Sequence, residues 1–500
     1  MSASLLPQER ALLPQIQLWI AHHRAALIDD LAQWIAVPSI SRADRAAPGA
    51  PFGPECAQIL QLVLNHAEQA GFKTEQHQGY AGSVIYGKHA RDIGLINHLD
   101  VVPAGDNWTF PPFSLTHHGD FVTGRGVADN KGPGVLNLYL LKLIRDLNIP
   151  LHHNLRIIYG LAEETTMVDM TWFAENGPVP EYSIVTDGMF PVNHAQKGQL
   201  SFTLNVAEAG ILADIVAGSA SNSVPDFASV RIKRADLHDV SNKLTLLRRV
   251  ASNTVSVKLD QKGVLTLEAR GNGGHAAFPE GTLNATQILL AALIELDLVI
   301  DRERQLAETL VQLFASPYGE SAALGLEDAE SGKLTLNAGV WYSQQAGTLS
   351  IDCDIRYPVL WRGEQIVEML LQQLASTTIT LEPGWRDVAP FFMPASHPVI
   401  SLLQQVWNDT TGNDDRPYAM GGVTHSKRLP NAITFGPGYR KTAANTPDFL
   451  PEGHGLPHGA DETIHLPSLL DALPKYVIAL IRLDSYLTEQ NFIPDPFSAG

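Results

Sequence analysis

Imidazoles and carboxylates, the side chains that bind divalent cations, recur in five short segments of this chain. The segments are His98-Leu99-Asp100, Asp129-Asn130-Lys131-Gly132, Glu163-Glu164, Asp187 and His458-Gly459-Ala460-Asp461-Glu462. Two imidazoles and four of the seven carboxylates in these segments, without a thiolate, suit hard or borderline divalent ions, and they exceed what one four-coordinate site needs. Two ions that share a bridging carboxylate would use all of them. The set favours hydrolysis, because a two-metal centre polarises a carbonyl and generates a hydroxide near neutral pH.

The secondary structure predicted around these segments brings three of them to one edge of a sheet. Strand-like runs alternate with helical ones, which predicts an α/β domain with a largely parallel sheet flanked by helices. His98 follows the predicted strand 94–97, the two glutamates follow 155–159, and Asp187 follows the run at 182–186. Ligands of open α/β sheets bind outside the carboxyl ends of the strands. We therefore expect the site at that edge.

Hydrophobic periodicity further along the chain predicts a change of architecture. The first part contains predicted helices at 15–37, 55–70 and 135–147. From residue 195 alternating patterns predict antiparallel strands, with helices between them, at 200–206, 254–259, 264–269, 334–340 and 347–355. We predict a catalytic domain in two parts, 1–194 and 389–500, and an inserted α+β lid domain at 195–388. Two β-rich portions, before and after residue 315, suggest that this lid is doubled.

Composition limits the function classes. The 500 residues carry a formal net charge of -18 without a Lys/Arg-rich run, which disfavours a nucleic-acid or anionic-membrane partner. The N-terminus lacks the pattern of a signal peptide, and no apolar run is long enough to span a bilayer, so we expect a cytoplasmic protein. Cys56 and Cys353 are the only cysteines, which excludes a disulfide framework and a thiolate metal cluster.

The order and the flanks of these motifs resemble the aminoacylase–carboxypeptidase–desuccinylase family of di-zinc metallohydrolases. The resemblance extends over nearly the whole chain and is carried by Asn97 to Pro103, Trp108, Pro112-Phe113, Gly124 to Gly132, Asn222 to Pro225, Gly274 to Ala276 and Asp354 to Pro358. The size of the insertion, and Asp187 to Pro191 followed by Lys197-Gly198, are similar to the bacterial dipeptidase branch. In that branch a doubled lid lets one chain imitate a dimer, so the resemblance implies a monomer.

The resemblance also implies metal ligands and a general base. It places His98 and Asp187 on one ion, Glu164 and His458 on the other, and Asp129 between them. We expect two divalent ions, Zn²⁺ first, with Mn²⁺ or Co²⁺ as alternatives. Glu163 would be the general base, and Asp100 would accept the other ring N–H of His98. One departure is Asn130, since members of the branch often carry a second acidic residue there.

Two further predictions concern histidines. His454 and His458 form a His-x-x-x-His spacing, which on a helix would make both of them ligands. The glycines and Pro457 around them make a helix improbable, so we favour His458, which precedes Gly-Ala-Asp-Glu as the last ligand of the family does. The remaining histidines, including the pair His152-His153, are expected at the surface.

Substrate-binding residues in the lid are implied by the same resemblance. His275 would stabilise the oxyanion. Arg356 and Asn222 would bind the free carboxylate of the substrate, for which the planar guanidinium is suited. Backbone N–H groups of a glycine loop would donate to the same carboxylate; its residues here are Gly421, Gly422 and Thr424.

The function that the resemblance implies is a metal-dependent dipeptidase. It would hydrolyse short peptides that have a free C-terminus, by means of a hydroxide that bridges two metal ions. An N-acyl-amino-acid amidohydrolase, such as a deacetylase or a desuccinylase, would use the same metals and stays open. A metal-binding scaffold without hydrolytic activity is a third reading, which Glu163 disfavours because ligation alone does not need it.

Overall fold

The computed structural model describes residues 5–233, 254–261 and 264–491. The chain divides into two compact units. Unit 1 comprises Met1–His194, Met393–Tyr418 and Val423–Gly500, and unit 2 comprises Ala195–Phe392 and Ala419–Gly422. The segments of unit 1 therefore flank those of unit 2 in the sequence.

The elements are numbered along the whole chain. The α-helices are α1 (Pro7–Ile35), α2 (Pro54–Gln69), α3 (Lys131–Asp146), α4 (Val168–Asn176), α5 (Ala285–Glu295), α6 (Asp301–Leu313), α7 (Gly363–Leu374), α8 (Pro398–Thr411), α9 (Leu466–Leu470) and α10 (Ala472–Asn491). The first strands are β1 (Lys73–His77), β2 (Ala81–Tyr86), β3 (Asp92–His98), β4 (Thr116–His118), β5 (Phe121–Thr123), β6 (Asn154–Gly160), β7 (Tyr182–Val185), β8 (Gly188–Met189) and β9 (Asn193–Gln196). The next are β10 (Gly198–Val206), β11 (Val216–Ala217), β12 (Ser223–Val224), β13 (Phe227–Ile232), β14 (Val255–Leu259), β15 (Leu265–Arg270), β16 (Gly274–His275), β17 (Glu327–Asp328) and β18 (Gly332–Lys333). The last are β19 (Thr335–Tyr342), β20 (Leu349–Tyr357), β21 (Ile379–Leu381), β22 (Arg386–Val388), β23 (Phe391–Phe392), β24 (Tyr418–Met420), β25 (Ala432–Thr434), β26 (Pro437–Gly438) and β27 (Thr463–His465).

Unit 1 is built on a six-stranded sheet in the order β1-β2-β6-β3-β7-β25. Strands β6, β3, β7 and β25 run parallel, and β1 and β2 add an antiparallel edge. All seven residues of β6 are buried, as expected for a parallel strand covered on both faces. Helix α3 packs against β3 and β6 and also contacts α1 and α10. The predicted α/β architecture with a largely parallel sheet is confirmed.

Unit 2 is built on one nine-stranded sheet in the order β14-β15-β13-β11-β19-β20-β10-β21, with β22 also paired to β10. Its strand pairs are antiparallel, and its core includes apolar residues of α5, α6 and α7. This confirms the predicted α+β character of the insertion. The two β-rich portions of the sequence do not map onto separate halves of the sheet, because β10 pairs with β20 from the later portion along its whole length.

Among the predictions for unit 1, those for the start of the first helix and for His153 were wrong. Helix α1 begins at Pro7 rather than near residue 15, because Glu9 supports its first turn with one local and one tertiary contact. Its carboxylate accepts the backbone N–H of Leu6 at 2.9 Å and pairs with Arg482 of α10 at 2.8 Å. His153 is buried rather than at the surface, and its Nδ1 lies 2.8 Å from the buried carboxylate of Asp484. The pairs Glu9–Arg482 and His153–Asp484 each join segments that are far apart in the sequence.

Within the described ranges, no helix combines the length and the apolar character that crossing a membrane requires.

Candidate metal centre

The ends of three parallel strands bring most of the candidate ligands of unit 1 together. His98 is the last residue of β3, Glu163 and Glu164 lie in a turn that follows β6, and Asp187 follows β7. Asp129 precedes α3 by two residues. The two glutamates therefore lie in a turn and not in a continuation of the strand β6.

Two groups of three potential ligands share one carboxylate. The first is His98, Asp129 and Asp187, and the second is Asp129, Glu164 and His458; in each group the ligand atoms lie within 4.8 Å of one another. Asp129 directs one oxygen to each group, since its Oδ1 is 3.0 Å from His98 Nε2 and its Oδ2 is 3.3 Å from His458 Nε2. This is the arrangement that a carboxylate bridging two cations requires.

The other contacts of the histidines show which of His454 and His458 lies in a ligand group. Glu164 Oε2 lies 3.0 Å from His458 Nε2, and Asp187 Oδ2 lies 3.7 Å from His98 Nε2. His454, the alternative ligand of the His-x-x-x-His spacing, lies with its Nδ1 2.7 Å from Asp461 Oδ2. The structure therefore places His458, and not His454, beside the shared carboxylate.

Asp100 connects two of the candidate ligand segments. Its backbone carbonyl is 3.0 Å from His98 Nδ1, whereas its carboxylate Oδ1 is 3.4 Å away, so the carbonyl is the nearer acceptor. The carboxylate instead accepts the backbone N–H groups of Glu163 at 3.2 Å and Glu164 at 3.1 Å. A hydrogen bond at Nδ1 leaves Nε2 of His98 directed at the carboxylates, as in metal-binding histidines.

Asn130 has a contact that an acidic residue at this position would lack. Its side-chain amide donates to Asp187 Oδ1, and its backbone carbonyl accepts from Asn97 Nδ2 at 2.9 Å. A carboxylate at position 130 would have no hydrogen to donate and would repel Asp187. The departure from the family pattern thus supplies a donor that orients a candidate ligand, a role that the sequence analysis did not assign.

A buried aspartate–histidine pair behind the candidate ligands was also missed. Asp169 accepts the backbone N–H groups of Leu161 at 2.7 Å and Ala162 at 3.0 Å, which fixes the chain just before Glu163. His425, expected at the surface, is buried with its Nε2 3.2 Å from Asp169 Oδ2. The two residues are 256 positions apart, so no local pattern indicates the pair.

The donor set and the buried oxygens of this cluster fit divalent cations. Imidazole nitrogens and carboxylate oxygens are ligands for Zn²⁺, Mn²⁺ and Co²⁺. Among the described residues, the buried Oε1 atoms of Glu163 and Glu164 have no hydrogen-bond partner. Buried polar atoms are normally satisfied, and those left unpaired in a native structure indicate an ion, a water molecule or a functional role.

The pKa values of the groups in this cluster also favour the binding of divalent cations. Burial raises the pKa of Glu164 to about 7 and that of Asp187 to about 6, and nearby Asp129 adds to both effects. Hydrogen bonds to Asp129 and Glu164 raise the pKa of His458 to about 11. Burial and then the charge of Asp187 raise the pKa of Glu163 well above its usual range. A bound cation would favour the ionised carboxylates and the neutral imidazole, and so would reverse these shifts.

A cavity of about 420 Å³ adjoins the cluster within unit 1. Asp129 and Asp187 form part of its wall, and most of the other wall atoms are apolar, from residues that include Met189, Tyr439 and Leu456. Small-molecule sites usually combine an apolar wall with a few polar groups.

The substrate-binding candidates of unit 2 form a second cluster. The strand β16, which contains His275, pairs with β12, and Ala276 N–H donates to the carbonyl of Asn222 at 2.9 Å. Arg356 Nη1 donates to the Gly421 carbonyl at 3.1 Å. A Cβ atom at Gly421 would lie 2.9 Å from that of Ala277, so the close approach favours glycine.

Three details describe what these side chains can do. Ala277 N–H donates to His275 Nδ1 at 3.0 Å, which leaves Nε2 to carry the proton of a neutral ring. Arg356 is buried and its Nε donates to Asp354 Oδ1 at 2.7 Å. Thr424 lies in unit 1, where its Oγ1 is 2.9 Å from Thr434 Oγ1 and accepts the Ser426 N–H at 3.2 Å, so its side chain serves the local fold. Gly422 lies beside Gly421 in unit 2.

The sequence comparison agrees with the kind of site that this geometry describes. The profile of peptidase family M20/M25/M40 matches residues 94–481. The chain belongs to this family and is therefore a hydrolase of the metallopeptidase class.

Individual relatives cover almost the full chain. A Bacillus subtilis protein named "Putative dipeptidase YtjP" is 28% identical over 468 residues, which span 91% of this chain and 97% of that protein. Among solved structures, human carnosine dipeptidase 1 aligns with a TM-score of 0.56 at 15% identity, over 95% of this chain and 99% of that one. The dipeptidase Dug1p of Saccharomyces cerevisiae aligns with a TM-score of 0.57 at 12% identity, over 95% and 98%. At these identities the structural alignments establish the fold.

The shared position of Asp129 predicts unequal losses of metal among ligand variants. Asp129→Ala removes an oxygen from both groups, whereas Asp187→Ala removes one from the first group only. We expect Asp129→Ala to lower the content of both ions and Asp187→Ala to lower mainly one. Elemental analysis after dialysis against a defined free metal concentration measures this. Asp44→Ala, which changes an exposed carboxylate of unit 1, is the control, and equal losses in the two ligand variants would contradict a shared ligand.

Proposed function

We propose that the chain is a metal-dependent dipeptidase that hydrolyses short peptides with a free C-terminus. One observation carries this proposal: two histidine–carboxylate groups share Asp129, and Glu163 lies beside them without belonging to either. In the described part of the chain, its buried Oε1 lacks a hydrogen-bond partner. A glutamate in that position is available to move a proton.

The candidate ligands would hold two divalent ions, with Zn²⁺ as the first expectation and Mn²⁺ or Co²⁺ as alternatives. When bound, such ions polarise an amide carbonyl and make a water molecule more acidic. Glu163 would accept the proton of the attacking water and deliver it to the nitrogen of the leaving amine. The Asp100 carboxylate accepts the backbone N–H of Glu163 and so fixes the position of the Glu163 backbone.

The names of the relatives favour a dipeptidase over an N-acyl-amino-acid amidohydrolase. The Bacillus subtilis relative and both aligned structures carry dipeptidase in their names. An amidohydrolase would use the same metals and base and would differ in the pocket for the acyl group. A metal-binding scaffold without activity would not explain a glutamate that has a buried carboxylate oxygen and lies outside the ligand groups. We also propose a cytoplasmic location, in line with the acidic composition.

Replacing the general base should separate catalysis from metal binding. We expect Glu163→Gln to keep both ions, because Glu163 belongs to neither ligand group, and to lower kcat by about 10²- to 10⁴-fold, as for a lost general base. Metal content and steady-state kinetics on one dipeptide measure the two effects.

Glu164→Gln is the matched control for this prediction. The neighbouring glutamate lies in the group that contains His458, so its replacement should lower metal content as well as turnover. A Glu163→Gln protein with ordinary kcat would refute the base, and one that loses metal as Glu164→Gln does would show that Glu163 is a ligand.

Arg356 is the proposed anchor for the free carboxylate of the substrate. Its contacts to Asp354 and Gly421 fix the guanidinium next to the glycine loop and use only part of its five N–H groups. Hydrogen bonds between charged groups contribute about 1.5–3 kcal/mol. We therefore expect Arg356→Ala to lower kcat/KM for free-acid dipeptides about 10- to 100-fold, and to have a much smaller effect on C-terminal amides.

The comparison of acid and amide substrates isolates the carboxylate from damage to unit 2. Both substrates share every other contact, so a structural defect would slow them alike. Arg270→Ala, at an exposed arginine of the same unit, should leave the acid-to-amide ratio unchanged. If Arg356→Ala slows both substrates by one factor, Arg356 is a structural residue and the anchor lies elsewhere.

We further propose that one chain is a complete enzyme and acts as a monomer. The continuous nine-stranded sheet of unit 2 supports this, because strands from both β-rich portions already pair within one chain. Sedimentation should give the mass of a single chain. Mixing His275→Ala and Glu163→Ala proteins should restore no activity, whereas recovery of activity would mean that two chains share their sites.

A further inference from the structure

A deeply buried ion pair near the candidate metal centre joins two ligand segments. Arg125 and Glu462 have 1% and 0% of their surface exposed, and Arg125 Nη1 is 2.7 Å from Glu462 Oε2. They are 337 positions apart in the sequence. Burying two charges is unfavourable unless the geometry is good and the remaining polar atoms are satisfied. The hydrogen-bond partners of the two side chains therefore indicate what the pair does.

The Glu462 carboxylate holds the backbone that leads to Asp129. Its Oε2 accepts the N–H of Gly126 at 2.9 Å, and its Oε1 accepts the N–H groups of Ala128 at 2.8 Å and Asp129 at 2.9 Å. Three backbone donors thus converge on one carboxylate. One of these donors is the N–H of Asp129, so Glu462 fixes the backbone position of the shared candidate ligand.

The Arg125 guanidinium holds the backbone of the last candidate ligand. Its Nη2 donates to the carbonyl of Gly459 at 3.0 Å and approaches that of His458 at 3.4 Å. The guanidinium carbon lies 5.1 Å above the ring of Trp108. His458 has a φ of +64°, which residues other than glycine rarely adopt and which persists only where the surroundings fix it.

We propose that the Arg125–Glu462 pair is a positioning element that sets the spacing of Asp129 and His458, and thereby the cation affinity of the group Asp129, Glu164 and His458. The inference rests on the proposed metal-dependent function. The other group depends less on this pair, because Asp100 orients His98 and the Asn130 amide orients Asp187. Loss of the pair should therefore weaken one ion more than the other.

The test measures metal binding by the full-length protein, independently of activity. Arg125→Gln removes the charge and the forked donor, and Arg125→Lys keeps the charge but not the fork. Partners that orient metal ligands typically change metal affinity 10- to 100-fold when replaced. We expect a loss of that size for one ion in Arg125→Gln, and a smaller one in Arg125→Lys. Competition with a chromophoric chelator, for Zn²⁺ and for Mn²⁺, gives both dissociation constants.

Arg156→Gln is the matched control. Arg156 is also buried and pairs with Asp92 at 2.5 Å and Glu75 at 2.7 Å, but it lies near the start of β6, at the end of that strand away from Glu163. Its replacement should lower the melting temperature and leave both metal dissociation constants unchanged. Arg125 variants should change a metal constant even when their metal-free melting temperature falls no further than that of Arg156→Gln.

The outcomes separate the inference from the function on which it rests. A wild-type protein that binds no divalent ion would overturn the metal centre itself. A wild-type protein that binds two ions, together with an Arg125→Gln protein that binds both with unchanged constants, would overturn the positioning role alone. If Arg125→Gln does not fold, the same comparison is made with Arg125→Lys, and unchanged constants there overturn the inference.

Discussion

Repulsion among half-buried carboxylates is the constraint on which the rest of unit 1 depends. Asp129, Glu163, Glu164 and Asp187 converge at the carboxyl ends of neighbouring strands. Burial and mutual repulsion disfavour their ionised forms, which the raised pKa values of Glu164 and Asp187 express. Two imidazoles offset part of this charge, and divalent cations would offset the rest. The electrostatic cost of the cluster makes cation binding favourable.

Three further acidic residues hold the segments that carry the candidate ligands. Asp100, Asp169 and Glu462 each accept two or more backbone N–H groups from the segments that carry the candidate ligands. Each carboxylate therefore holds the backbone of a loop in place. Loops that are held in this way need little rearrangement when a ligand binds, and this preorganisation favours both metal affinity and catalysis.

The sequence predicted those parts of the molecule that local patterns determine. Strands β3, β6 and β7 were predicted from short apolar runs, and their order along the chain was enough to bring His98, Glu163 and the other candidates to one edge. The start of α1 was wrong because its first turn depends on Arg482, which is 473 positions from Glu9. A periodicity argument contains no information about such a contact.

The residues that the sequence analysis missed are those whose role arises only from tertiary contacts. His425 and His153 were expected at the surface, because the sequence around a histidine carries no signal of its burial. Each of them is buried against an aspartate from a distant segment. The pairing of Arg125 with Glu462 could not be predicted either, although both residues lie within motifs that had been singled out. Motifs identify chemical groups, whereas the hydrogen bonds that orient these groups depend on the folded chain.

We propose that Asp129 lies between two cations. The most direct measurement is anomalous diffraction from crystals of the protein loaded with Zn²⁺, with data collected on both sides of the zinc absorption edge. We expect two anomalous peaks, one within the group of His98, Asp129 and Asp187 and the other within the group of Asp129, Glu164 and His458. A single peak, or two peaks that do not share Asp129, would contradict it.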